Sequence, residues 1–250
     1  MKFLAFLVAM VPTVVLAWLV GAFQWRSKRC AAIWVGMGLG ALASVPIWFL
    51  ETVIEDSGEQ LSDLYQRAFV QQVLGAAFVE ELMILFAFLL TFLLMRTTRV
   101  NTRNDIVAIA VAAAIGFTTI ENGLAVIASQ SPLWTAGSRL LSIIAGHASL
   151  QLVMGYFAAE MLLGNRHRWL WGVLMLVVPI AIHGWGDFSE AIFQAVDADS
   201  DESKRYFSYW IFGLFAYVAA AVMVLFQLKT TEQSANEDSE PIGANEPNGE

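Results

Sequence analysis

The chain reads as an all-α, polytopic membrane helix bundle of about seven transmembrane helices. Three observations predict it. Of 250 residues, 58% are hydrophobic and 14% charged, with a mean hydropathy of +0.61, too apolar for a soluble domain of this length. The apolar residues fall in long blocks, most of them near or above the ~20 residues that a bilayer crossing needs. The basic residues favour alternate connections between blocks, as the positive-inside rule requires. Helix is the required form, because open strands would leave backbone groups unpaired in lipid.

Seven blocks cover roughly 3–23, 31–51, 67–95, 106–129, 139–163, 169–189 and 206–228. The first follows Met1-Lys2 but is long for a signal peptide and lacks a clear small-residue cleavage site, so it reads as a retained helix. Arg26, Lys28 and Arg29 follow it, Arg96, Arg99 and Arg103 follow the third block, Arg166 and Arg168 the fifth, and Lys229 the last. The intervening connections are acidic, with Glu51, Glu55, Asp56, Glu59 and Asp63 in one and Glu190, Asp197, Asp199, Asp201 and Glu202 in the other. This pattern predicts the N-terminus outside and the C-terminus in the cytoplasm.

Residues 1–229 then form one membrane domain. The tail, 230–250, holds six acidic residues and no basic one, cannot bury an apolar face, and is expected to be disordered. The net charge of −8 belongs mostly to the outer connections and this tail, and nothing points to nucleic acid. The single cysteine, Cys30, can form no intramolecular disulfide and reads as a packing or lipid-facing residue.

Glu80, Glu81, Glu121, Glu160 and Asp187, with His147 and His183, lie inside apolar blocks. A charge at mid-bilayer depth costs ~3 kcal/mol on insertion scales, so this many ionisable groups argue for a polar site enclosed by helices. Spacing decides which can meet. Glu80 and Glu81 diverge by about 100° around their helix, whereas Phe117 and Glu121, His147 and Gln151, and His183 and Asp187 are each four apart and share a face. At ~1.5 Å per residue, Glu121 and His147 lie ~12 Å from the outer edge, His183 ~9 Å and Glu80 ~15–20 Å, with Asp187 nearer the rim. Two adjacent buried carboxylates must share a proton or find a cation. Glu160 sits near the cytoplasmic end and reads as a rim or packing residue. His167, between Arg166 and Arg168, reads as solvated surface. Small residues flank the set, with Gly75-Ala76-Ala77, Ala112-Ala113-Ala114, Gly116, Gly146, Gly184 and Gly186 allowing close helix approach.

Two imidazoles and several carboxylates supply enough nitrogen and oxygen donors for zinc or another divalent metal, with Glu80, Glu121, His147 and His183 as candidate ligands. No HExxH occurs, so the spacing by itself demands no cofactor.

At these residues the chain resembles the PrsW family of intramembrane proteases, a relative of the CAAX prenyl endopeptidase/Abi group. The matching motifs are Phe78-Val79-Glu80-Glu81, Phe117-Thr118-Thr119-Ile120-Glu121, Gly146-His147-Ala148 and His183-Gly184-Trp185-Gly186-Asp187, in order across about residues 67–190. The glutamate of FxxxE points to the PrsW branch. One departure stands out: the lysine of the family's EExxK falls at position 84, which is Ile84 here. Glu81 therefore lacks an in-helix cation, and a proton, a hydrogen-bond donor or a metal must compensate, with Arg139 a distant substitute at the outer rim.

The resemblance implies an endopeptidase in a bacterial cytoplasmic membrane, cutting another membrane protein of single-pass type, such as an anti-sigma factor, near its outer face. The favoured roles are Glu80 as general base beside Glu81, Glu121 and His147 holding or orienting the water, and His183, oriented by Asp187, stabilising the oxyanion or donating a proton. Two other readings use the same residues. One is a catalytically inactive relative that binds membrane helices, motivated by Ile84. The other is a proton- or cation-coupled transporter with a carboxylate relay, in which Glu160 would carry the path inward.

Overall fold

The computed structural model describes residues 1–21, 28–95, 102–142, 146–164 and 166–237. Among them are helices α1 (Lys2–Leu19), α2 (Lys28–Glu59), α3 (Leu64–Met95), α4 (Arg103–Ala128), α5 (Pro132–Ser142), α6 (Ala148–Leu163), α7 (Arg168–Ala195) and α8 (Asp201–Glu237), and no strand. Arg26, Arg96 and Arg99, used above for orientation, lie outside the described residues, as do residues 238–250 of the predicted tail.

Six of these helices are long and apolar enough to cross a membrane: α1, α2, α3, α4, α7 and α8. The fifth predicted block, 139–163, is covered by α5 and the sixteen-residue α6, and residues 143–145 between them lie outside the described residues. Pro132 opens α5 at a position where its missing N–H costs nothing, and Ser129 accepts from the backbone N–H of Ser131 just before it (2.9 Å). The helix therefore starts seven residues before the predicted block.

The acidic connection after the second block is also largely helical. Nothing breaks α2 before Glu59, and Thr52 and Ser57 donate back to the carbonyls of Trp48 and Val53 (2.8 and 2.9 Å) instead of capping or turning the chain. Glu51 and Glu55 therefore stand on a continuing helix. In the same way α7 runs through Asp187 to Ala195, and α8 continues to Glu237, into the segment read as tail.

At the start of α3, Asp63 caps the helix by accepting from the N–H of Gln66 (2.8 Å). The helix then widens to π geometry over Phe69–Ala77 before returning to α form at Phe78. Such wide turns recur at functional sites, and this one ends three residues before Glu80.

The centre of the bundle is α4. Thr102 and Asp105 close a capping box at its N-terminus (3.1 and 3.3 Å). Its run of alanines and Gly116 leaves little side-chain bulk, so neighbours come close on several sides. A Cβ at Gly116 would overlap the carbonyl of Met37, and one at Gly40 would overlap the carbonyl of Ala113, which fixes α2 against α4. On another face, a Cβ at Gly155 of α6 would press on Val107. Ile84, Phe88, Ile106, Ile109, Ala113, Met154 and Ala158 form the shared core. The large exposed apolar side chains, Trp48, Phe86, Phe212 and Phe226 among them, sit on the outer helix faces, as lipid contact requires.

Candidate functional site

Glu80 and Glu81 of α3, Glu121 of α4, His147 just before α6, and His183 and Asp187 of α7 all meet in one place. His147 Nε2 stands 3.5 Å from Glu80 Oε2 and 3.4 Å from Glu121 Oε2. His183 Nε2 lies 3.9 Å from the same Glu80 oxygen and 3.1 Å from Asp187 Oδ2, while its Nδ1 lies 2.9 Å from Glu81 Oε1. The imidazoles meet edge to face with centroids 5.0 Å apart, and the Phe117 ring packs edge-on against His147 at 5.2 Å. Phe117 and Glu121, one turn apart on α4, thus grip the same histidine. Glu160 does not join this group. It is bonded to Arg103 (2.8 Å) at the other end of the bundle.

Adjacent in sequence, the two glutamates both reach the site. Glu81 is fully buried and doubly held: Gln151 Nε2 donates to its Oε2 (2.6 Å) while His183 meets the other oxygen. Ile84 is also fully buried, in the apolar core. The hydrogen-bond donor that Glu81 needs therefore comes from α6, and Arg139 of α5 pairs with Glu121, not with Glu81. The expectation that Asp187 orients His183 needs refining too. Asp187 stands at Nε2, on the side of Glu80, and the partner at Nδ1 is Glu81.

Around these residues is a cavity of about 720 Å³. Several of its polar atoms are buried without a hydrogen-bond partner among the described residues: Glu80 Oε2, Glu121 Oε2, His147 Nδ1 and Glu51 Oε1. Buried polar atoms left this way mark a place for water or an ion. The donor set also fits a metal. One atom each from Glu80, His147 and His183 lies within 4.8 Å of the others, against roughly 3.3 Å between ligand atoms in a tetrahedral zinc site. Side-chain shifts of about 1 Å would close the difference.

Sequence reasoning gave no site role to four residues that bond to these groups or line the cavity. Gln151 carried a signal, four residues after His147, but not its partner. Arg139 carried one as a cation near the rim. Glu51 was read as an outer-loop residue, and it instead comes within hydrogen-bonding reach of Glu80 from α2. Tyr217 carried none, being an aromatic residue in an apolar block; it is 5% exposed and lines the cavity from α8.

A family model described as PrsW family intramembrane metalloprotease matches residues 28–227. Protease PrsW of Halalkalibacterium halodurans is 33% identical over 100 residues, which is 40% of this chain and 46% of that protein. Protease PrsW of Shouchella clausii is 33% identical over 84 residues, 34% of this chain and 38% of that protein. The matched region is therefore under half the length of either relative. No solved structure matches the chain.

Proposed function

This chain belongs to the PrsW family of intramembrane metalloproteases and is a multi-pass integral membrane protein; from that premise we propose that it hydrolyses a peptide bond of another membrane protein at the Glu80–His147–His183 centre. The observation that carries this is the convergence of those three side chains, their donor atoms within 4.8 Å of one another, on a cavity holding unpartnered carboxylate oxygens. The proposed kinship with the CAAX prenyl endopeptidase/Abi group is part of the same reading.

The roles follow from what each group is already bonded to. Glu80 and Glu121 each hold an unpartnered oxygen near His147 Nε2, so either could take a proton from a water bound there. Glu121 is engaged by Arg139 through its other oxygen, which suits it to orient the water. Glu80 is left as the base. His183 donates a proton to the departing nitrogen from Nε2, and its ring is held in place by Glu81 at Nδ1. Glu80 Oε2, 3.9 Å from that Nε2, is close enough to return a proton through one water.

Glu80, His147 and His183 would also hold zinc or another divalent ion. Bound there, it would polarise the carbonyl and make a hydroxide-like water available at neutral pH. Burial of the centre serves either chemistry, because water enters only where the cavity admits it.

The substrate we assign is a single-pass membrane protein, an anti-sigma factor being the kind that the family resemblance suggests. The cavity lies at the bundle end that carries Glu51, Glu55 and Glu190, opposite Arg103 and Glu160. Taken as the outer end, this favours a cut near the outer face. The pairing of Glu160 with Arg103 removes the one residue that a transport path toward the other face would use.

The test is reconstitution of the full chain in lipid with doubly tagged single-pass membrane proteins. Cleavage that disappears in Glu80→Gln and His183→Ala, both still folded, supports the reading. Intact substrate with the wild-type chain would overturn it. Metal analysis of the same samples, with a chelator arm, decides whether an ion is required.

A further inference from the structure

We infer that the hydroxyl of Tyr217 is a catalytic group of this centre, the donor that stabilises the oxyanion formed on the scissile carbonyl. This rests on the proteolytic reading above.

Tyr217 lies on α8, a helix that contributes no motif residue. It lines the cavity beside Leu214 and Trp210, three and seven residues earlier on the same helix face. Its approach depends on glycine. A Cβ on Gly186 would stand 3.0 Å from the Tyr217 hydroxyl oxygen and 3.5 Å from the ring, and Gly213, one turn before Tyr217 on α8, also lies close to the Gly186 backbone. Gly186 is one turn beyond His183 and adjacent to Asp187. The absence of a side chain there brings the phenol to the face of α7 that carries the site. A buried tyrosine retains its hydroxyl where that group has something to bond, and here it lies beside Gly186, which lines the same cavity.

Three donors near the centre are already held by carboxylates. Arg139 is bonded to Glu121, Gln151 to Glu81, and His183 Nδ1 to Glu81. Glu80, Glu81, Glu121 and Asp187 make the surroundings hostile to new negative charge, so an oxyanion needs a donor that no carboxylate holds. The phenol is neutral and directional, and it meets that need.

In the step itself, the water oxygen bonds to the carbonyl carbon while Glu80 takes one of its protons. The carbonyl π pair moves onto the oxygen, which accepts a hydrogen bond from Tyr217. Collapse re-forms the carbonyl and breaks the C–N bond, whose electron pair takes the proton from His183. Glu80 then passes its proton back to His183. One water is consumed, and an acid and an amine are released.

The experiment uses the full chain in lipid and a doubly tagged single-pass protein that the wild-type cleaves, with Glu80→Gln as the inactive control. Tyr217→Phe should lower kcat at least about tenfold with KM within about twofold, since losing one oxyanion donor acts on the transition state and not on binding. Melting temperature and metal content should match the wild-type. Gly186→Ala, which displaces the hydroxyl, should cause a similar loss with Tyr217 present and no further loss in the Tyr217→Phe background. Wild-type kcat in Tyr217→Phe overturns the assignment while leaving the protease reading intact, and so does an undiminished Gly186→Ala effect in that background. If the wild-type cleaves nothing, both fall together.

Discussion

Gln151 on α6 donates a 2.6 Å hydrogen bond to Glu81 on α3, and both side chains are fully buried. The contact joins residues seventy apart in sequence and supplies the donor that Ile84 cannot. With His183 on its other oxygen, Glu81 is held from two helices, and through it the ring of His183 is held as well.

Replacing Gln151 by Leu should therefore act on both stability and rate. A buried hydrogen bond to a charged group contributes about 2 kcal/mol, and its loss leaves Glu81 half-satisfied. We expect a lower melting temperature of the purified protein in nanodiscs and a reduced kcat. An unchanged melting temperature would show that Glu81 finds another donor.

Restoring the family lysine should harm the protein. Ile84 is fully buried among Leu85, Phe88 and Ile109, and an ammonium there would be several kcal/mol out of place unless it reached a partner. Ile84→Lys should lower the yield of folded protein and its melting temperature, without raising the cleavage rate. A faster, equally stable variant would refute this account of Glu81.

Arg139→Gln tests the other half of the charge arrangement. It strips Glu121 of its guanidinium partner, so the carboxylate loses its fixed orientation beside His147. A kcat loss of at least about tenfold is expected, with partial recovery in Arg139→Lys, which keeps the charge without the planar fork. Equal activity of all three forms would place Arg139 outside the mechanism.

Gly116 tests what holds the scaffold. Its Cα faces the backbone of α2 so closely that a methyl group would strike the carbonyl of Met37. Gly116→Val should separate α2 from α4 and lower the melting temperature by more than the same change at Gly38, where a Cβ would meet nothing within 4 Å. Thermal unfolding of the pair in parallel provides the comparison.

The legibility of this protein in its sequence was uneven, and the division has a physical origin. Hydropathy and helical spacing act along one chain segment at a time. They exposed the spans, the ionisable residues out of place within them, and the pairs four apart that share a face: Phe117 with Glu121, His147 with Gln151, His183 with Asp187. Helix ends were less legible. The acidic run after residue 51 looked like a loop because it is polar, yet a polar stretch without a breaker simply extends α2. The widened turn over Phe69–Ala77 left no sequence mark that could be separated from an ordinary helix.

What the amino-acid order alone determined, then, is that the chain is an α-helical membrane protein with acids and imidazoles sunk into its apolar blocks. Tertiary structure decided which of those groups meet. Packing of the helices from α3 to α8, permitted by glycine and alanine at the crossings, brought Gln151 to Glu81, Arg139 to Glu121 and the hydroxyl of Tyr217 to the face of Gly186. Helical periodicity fixes a side chain's direction about its own axis and carries no information on how neighbouring helices are rotated toward one another. That rotation is set by steric fit across the whole bundle.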